Sequence, residues 1–464
     1  MMLTNLPVHL TGELLGVWFD LKAVVDLDTA FCNHKFRDRF LESLASSYCV
    51  HASKVNRFSS HAVEWYIDRQ FKMCNLEFLV DVERAPIARY MQIYEKNVHT
   101  IRCKQKDLNV IAVYARNLTS FSFCNGPATD SLTDILWLNP HLRVLELSDT
   151  AELRASHLNR VELRHLKSLS WIGINCSGGL LGACSLAGYE LTHLNLSFCT
   201  GLTTEDVAIL SQSSPQLQYV GLCTVPVCDE ALGILVHNCP YIAHLDISVN
   251  SVVTDVGILS ISQKLRGLCG LAIGLCPKLT DQSLAYLVEH CAETLQVLRM
   301  NQFGSVRAKV FVLLLQRCTR LHSLSTNLLL QPSLMPYLCN LQALIVWSVL
   351  SDAALMSIAK HCQELQVLGN IHVVDRETAV YPQNEEMLHA GTARHSATVS
   401  PYTEEGLLAL MHGLPNLRLL GLKEHSDRNC LSRLAVKLWQ SLRPRLQVTS
   451  DGAAFDYHVL EQKV

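Results

Sequence analysis

One apolar pattern returns along most of this chain and dictates what it can fold into. It reads Leu268-x-x-Leu271-x-Ile273-x-x-Cys276, and again Leu191-x-x-Leu194-x-Leu196-x-x-Cys199 and Ile242-x-x-Leu245-x-Ile247-x-x-Asn250. Apolar residues three and five places after the first suit a short strand that turns one face inward. A capped helix follows each strand. Thr280 is a natural N-cap, Asp281 stands in the positive end of the helix field, and Leu284, Leu287 and Val288 return at helical spacing. A single strand and helix cannot bury their own apolar faces, so each unit requires a copy on either side.

The copies are present. The unit opens at Leu118, Leu142, Leu166, Leu191, Leu217 and Ile242, and again at Leu268, Leu295, Leu321, Leu341 and Leu365. That is ten steps over 247 residues, a mean of 24.7. Weaker copies open at Met73 and Val98, and a late one at Leu417. Proline stands two places before the opening at Pro140, Pro215, Pro240 and Pro415, where it stops the preceding helix. Pattern and period resemble the leucine-rich repeat, for which about 20–29 residues per unit is usual. The expected fold is an α/β leucine-rich-repeat solenoid, a horseshoe with parallel strands on its concave face and helices outside. The sequence divides it into a helical module at 1–45, a connector and cap at 46–72, and the solenoid at 73–371. A loop or eroded repeat at 372–402 and terminal repeats with a cap at 403–464 complete the chain.

The chain of 464 residues is 49% apolar and 17% charged, with a net charge of −3. It can bury a long core, and its charge is too low for a disordered protein. The near-neutral balance gives no reason to expect nucleic acid or an anionic membrane. The longest aliphatic and aromatic run, Val310 to Leu315, is far short of a spanning helix. Glu13, Asp20 and Lys22 interrupt any signal-peptide core, so a cytoplasmic or nuclear protein is expected rather than a secreted one.

Eighteen cysteines invite a search for zinc. Their positions follow the repeat instead. Cys239, Cys291, Cys318 and Cys362 each stand three or four places before the next opening. Cys199 and Cys276 hold the place that Asn250 holds in its own unit, where a thiol or an amide can hydrogen-bond the turn. No C-x-x-C pair occurs, and no metal or cofactor is expected.

Residues 1–45 break the period. They carry Leu6-Pro7, Glu13-Leu14-Leu15, Trp18-Phe19, Val24-Val25 and Phe31-Cys32, then the basic Lys35 and Arg37. This order resembles the F-box. Two departures stand out: Leu6-Pro7 lies several residues too far from Glu13, and Val24 replaces the acidic residue of the usual D-L pair. The resemblance implies docking on the SCF adaptor protein, and through it on the cullin scaffold, by way of Leu14, Leu15, Trp18, Val25 and Phe31. The competing expectation is that the same helices only cap the open end of the solenoid.

Side chains that alternate outward from the inward leucines line the other face of the strands. The candidates there for holding a target protein are Tyr219, His244, Asp246, Arg299, Asn301 and Trp347; Ile345 falls in the same row. Tyrosine, arginine and tryptophan are the types that dominate binding hot spots. No phosphate loop, dinucleotide fingerprint, nucleophile elbow or H-E-x-x-H is present, so no catalytic residue is expected. The sequence thus describes a non-enzymatic recognition subunit of an SCF-type ubiquitin ligase, or, alternatively, an interaction scaffold with a helical cap. Neither reading names the target.

Overall fold

A computed structural model of the chain describes residues 6–17, 19, 21–31, 37–47, 49–51, 60–78, 84–104, 108–153, 163–177, 190–301, 303, 306–328, 330–347, 350–372, 387–388, 404–423, 445 and 447–449. The chain forms two compact units, Met1–Leu217 and Gln218–Val464. Both are built from parallel strands backed by helices. This is the expected leucine-rich-repeat fold.

The first unit opens with three short helices, Val8–Val17, Leu21–Ala30 and Arg37–Ala45, and a fourth, Ser60–Asp68. Asp28 is their hub. Its carboxylate receives Arg37 at 2.7 Å, Arg69 at 3.0 Å and the Trp65 indole N–H at 3.0 Å. Charge on both sides offsets the cost of burying this acid. A parallel ladder follows: Asn75–Phe78, Thr100–Lys104, Ser120–Pro127, Val144–Ala151, Ser168–Ile172 and His193–Asn195. Between its strands run the helices Arg84–Tyr94, Leu108–Tyr114 and Asp130–Leu138. The N-terminal helices join the ladder through the buried ring of Tyr90, which donates to Phe71 O at 3.0 Å and accepts from Met73 N at 2.8 Å.

In the second unit Tyr219–Gly221, His244–Asp246, Gly270–Ala272 and Val297–Met300 pair in parallel, followed by Ser323–Thr326, Ala343–Val346, Val367–His372, Leu419–Lys423 and Gln447–Thr449. Leu245, Leu271, Leu298, Leu324, Leu344 and Leu368 align across the ladder and are all buried. All the predicted openings from Met73 to Leu417 are buried as well.

The polar places of the repeat are used as their chemistry suggests. Cys199 and Cys276 each reach a carbonyl of the preceding repeat, Trp171 O and Ile247 O, at 3.3 Å. Asn250 does more: its amide donates to Val225 O and Val227 O and accepts from Val252 N and Val253 N. The residue seven places after the opening is in the left-handed region in consecutive repeats: Asn125, Asp149, Gly173, Phe198, Thr224, Val249 and Leu275, with φ between 48° and 67°. Only Gly173 adopts it without a steric penalty; for the others it costs about 1–2 kcal/mol each.

The segment 372–402 lies almost wholly outside the described residues. Met387–Leu388 is described, and pairs antiparallel with Val306–Arg307. Residues 424–444, within the expected C-terminal cap, also lie outside them. No helix among the described residues is long and apolar enough to cross a membrane.

Candidate functional site

The six target-binding candidates fall together on the sheet of the second unit, on the face opposite the leucine core. Strand alternation places them there. The register sets them in rows. Asp246, Ala272, Arg299, Ser325 and Ile345 are direct neighbours in succession, as are Tyr219, His244 and Gly270. Asp246 and Arg299 therefore stand two strands apart, about 10 Å between backbones. Tyr219, His244, Asp246, Arg299, Asn301 and Trp347 are all half-buried.

The imidazole of His244 lies over Gly270 of the next strand. A Cβ at Gly270 would collide with the ring, so this close approach requires glycine. Asp246 turns part of its charge inward: its Oδ1 accepts from Ser248 N at 2.8 Å. Burial pushes the thiol of Cys223 up to about 12, and the nearby Asp246 carboxylate adds to the rise.

Ser325 ties two candidates together. The Trp347 indole N–H donates to Ser325 Oγ at 3.1 Å, and the Ser325 hydroxyl donates to Asn301 Oδ1 at 2.6 Å. This relay fixes Trp347 and Asn301 across three strands. Ser325 was not among the sequence candidates, although it stands four places after Leu321 and so falls in the same row by the repeat rule.

Beyond the relay the face becomes apolar. Ala343, Ile345 and Val367 form a buried cluster, with Trp347 and Leu419 packed against it. Ile345 was expected to face outward with its neighbours, but it is 4% exposed. The face is thus polar around His244 and Asp246, mixed at Arg299 and Asn301, and apolar from Ile345 onward.

The N-terminal candidates separate. Leu15 and Val24 are fully buried and belong to the core of the helical module. Leu15 is therefore corrected from a docking residue to a core residue: the helix Val8–Val17 turns it toward its neighbours. Val25 is 38% exposed, and Leu10, which sequence reasoning did not single out, is 42% exposed. Leu14 is half-buried. Phe31 is half-buried and rests on Phe40, with ring centroids 5.0 Å apart. Trp18 lies outside the described residues. Among the described residues no group of three His, Cys, Asp or Glu side chains could share a metal ion.

No protein-family model and no curated protein matches the chain. Among solved structures it is similar to a chain of the Rad7 and Elc1 complex in yeast, at 14% identity and a TM-score of 0.47, over 93% of this chain and 94% of that one. It is also similar to a chain of the Toll–Spatzle complex of Drosophila, at 12% identity and a TM-score of 0.37, over 83% of this chain and 51% of that one. A third is the TLR13–ssRNA13 complex, at 15% identity and a TM-score of 0.40, over 82% and 54%. The chain spans about half the length of the latter two.

Proposed function

We propose that this protein is a recognition subunit that does no chemistry itself and holds a target protein on the sheet face of its second unit. The observation that carries this reading is the graded face running from Tyr219, His244 and Asp246 through Arg299 and Asn301 to Trp347. Half-buried aromatic and charged side chains held by fixed neighbours lose little freedom on binding, which suits them to a protein interface.

The finer reading is that the N-terminal helices dock the adaptor of an SCF-type ubiquitin ligase and bring a cullin to the bound target. Its support is the F-box-like order of residues 6–37 together with the outward position of Leu10 and Val25. A second reading, an interaction scaffold capped by these helices, is favoured by the Asp28 hub and the burial of Leu15 and Val24. Pull-down of adaptor and cullin from eukaryotic extract separates the two. The intact chain should recover both, and Leu10→Asp with Val25→Asp should recover neither while keeping its fold. Recovery of neither by the folded intact chain leaves the scaffold reading.

A further inference from the structure

The first unit has a second surface that the target-binding reading does not use. The places two before, one before and one after each repeat opening form the edge where the chain turns from helix into strand. In the four repeats that open at Val98, Leu118, Leu142 and Leu166, these places hold Lys96, Arg116, Arg143, Arg164 and Lys167, all exposed. His99, His141 and His165 fill three more, and no aspartate or glutamate occupies any of them. The histidines knit neighbouring repeats: His99 meets Asn117 O at 3.1 Å, and the rings of His141 and His165 lie 5.7 Å apart. Among the described residues the flanking acids are Glu95, which is half-buried, and Glu190, 3.8 Å from His165.

This concentration is not a property of the repeat as such. In the second unit the same places are more mixed: six are amides, Gln296, Asn340, Gln342, Gln363, Gln366 and Asn416, two are acids, Glu293 and Glu364, and the cations thin to Arg266, Arg320 and Arg418, one to a repeat and none in successive repeats. The chain as a whole is negative.

A row of apolar side chains runs beside the cations. Ile93, Val113 and Trp137 each stand five places before an opening, near the ends of the packed helices Arg84–Tyr94, Leu108–Tyr114 and Asp130–Leu138. They are 50%, 57% and 60% exposed. The same place in the second unit holds His237, Gln263, His290, Gln316, Pro336, Lys360 and His412. Lys96 follows Ile93, and Arg116 follows Val113, by three residues. The edge therefore presents an apolar row with a basic row beside it, in register over successive repeats.

We propose that this edge docks an acidic protein segment that carries apolar side chains alongside its carboxylates. Charge complementarity selects the sign, and the parallel apolar row selects the class. A nucleic acid would satisfy the cations and leave Ile93 and Val113 against no apolar partner. An anionic bilayer would meet three apolar side chains in single file, too little to anchor a chain of net negative charge.

The test is fluorescence anisotropy of the full chain with a labelled synthetic peptide rich in glutamate, with leucine or phenylalanine at every third or fourth place. Saturable binding is expected. Arg143→Glu with Lys167→Glu should weaken it by about tenfold or more, and raised salt should weaken it as well. Trp137→Ser, which removes the apolar partner and leaves every cation, should also weaken it. Gln296→Glu with Gln342→Glu, at the matching places of the second unit, should leave binding unchanged. Circular dichroism checks that each variant is folded. The proposal is overturned if no saturable binding occurs, or if the glutamine variant loses as much as the basic-edge variant. Equal affinity for a single-stranded oligonucleotide or for anionic phospholipid vesicles, insensitive to Trp137→Ser, also overturns it.

Discussion

Asp255 accepts two hydrogen bonds from Thr280, one from the backbone N–H at 2.9 Å and one from the hydroxyl at 2.7 Å. Asp255 is the first residue of one outer helix, and Thr280 caps the next. Ser283 donates to the same carboxylate. The arrangement repeats one step earlier, where Asp229 accepts from Thr254 N at 2.9 Å and Thr254 Oγ1 at 2.6 Å. It recurs one step later with a change of partner, Asp281 pairing with Arg307. Each acid thus favours its own helix's positive end and also fastens the following cap.

Removing this fastening should be felt at both helices. Thr280→Ala loses its own cap bond to Gln282 N as well as the tie to Asp255, and should cost about 1–2 kcal/mol. Urea denaturation of Thr280→Ala, Asp255→Asn and the double variant should show coupling between the two sites. Strict additivity would mean that the two residues act separately.

The same pair makes stability depend on acid. Burial alone would raise the Asp255 carboxyl, but hydrogen bonds from Ser283 and Thr280 outweigh it and hold the group below its ordinary value of 3.8. A carboxyl with a depressed native pKa stabilises the fold fully above its unfolded value and loses that contribution as pH falls through the native one. The stability gap between the natural chain and Asp255→Asn should stay level from neutral pH down to mild acid, then narrow below 3.8. A gap that widens in acid would contradict the assignment.

Leu271 is 2% exposed and sits in mid-ladder between Leu245 and Leu298. Leu271→Ala should cost about 2–5 kcal/mol through lost burial and the cavity left behind. An unshifted denaturation midpoint would place this side chain outside the core. Trp347→Ala should cost less, about 1–3 kcal/mol, because that ring is only half-buried yet packs on Ala343, Ile345 and Val367.

The thiols should divide sharply in reactivity. Burial pushes Cys239, Cys318 and Cys362 up to about 12, whereas Cys339 is exposed. Iodoacetamide at mildly alkaline pH should modify Cys339 in the native protein and spare the other three until denaturant is added. Peptide mapping by mass spectrometry reads the order. Early modification of Cys239 would argue against its place in the core.

The fold was legible because the signal is periodic and redundant. A misread leucine at one opening would be corrected by the next, and prolines and caps kept the count in phase. The row of target-binding candidates followed from strand alternation alone. What alternation does not encode is which outward side chains find cover. Ile345 is buried because Ala343 on its own strand and Val367 on the next are apolar too, a fact of two strands at once. The Asp255–Thr280 tie was half visible: the cap and the helix-end charge both show in the sequence, while their partnership across repeats depends on how closely the helices stack. The N-terminal helices were hardest, since Leu15 and Val25 differ only in the side of a helix that faces inward, and no period fixes that rotation.

The left-handed residue seven places after the opening, present in seven consecutive repeats, has a consequence for variation. Its backbone takes the same path whether the residue is Asn125, Asp149, Phe198, Val249 or Leu275, and it holds all five of these side chains exposed. Display is thereby uncoupled from folding: the scaffold bears a fixed conformational cost at that step and leaves the chemistry shown there open to change. A lineage of such chains could exchange acid for aromatic, or amide for aliphatic, one repeat at a time, and explore new partners without renegotiating the core.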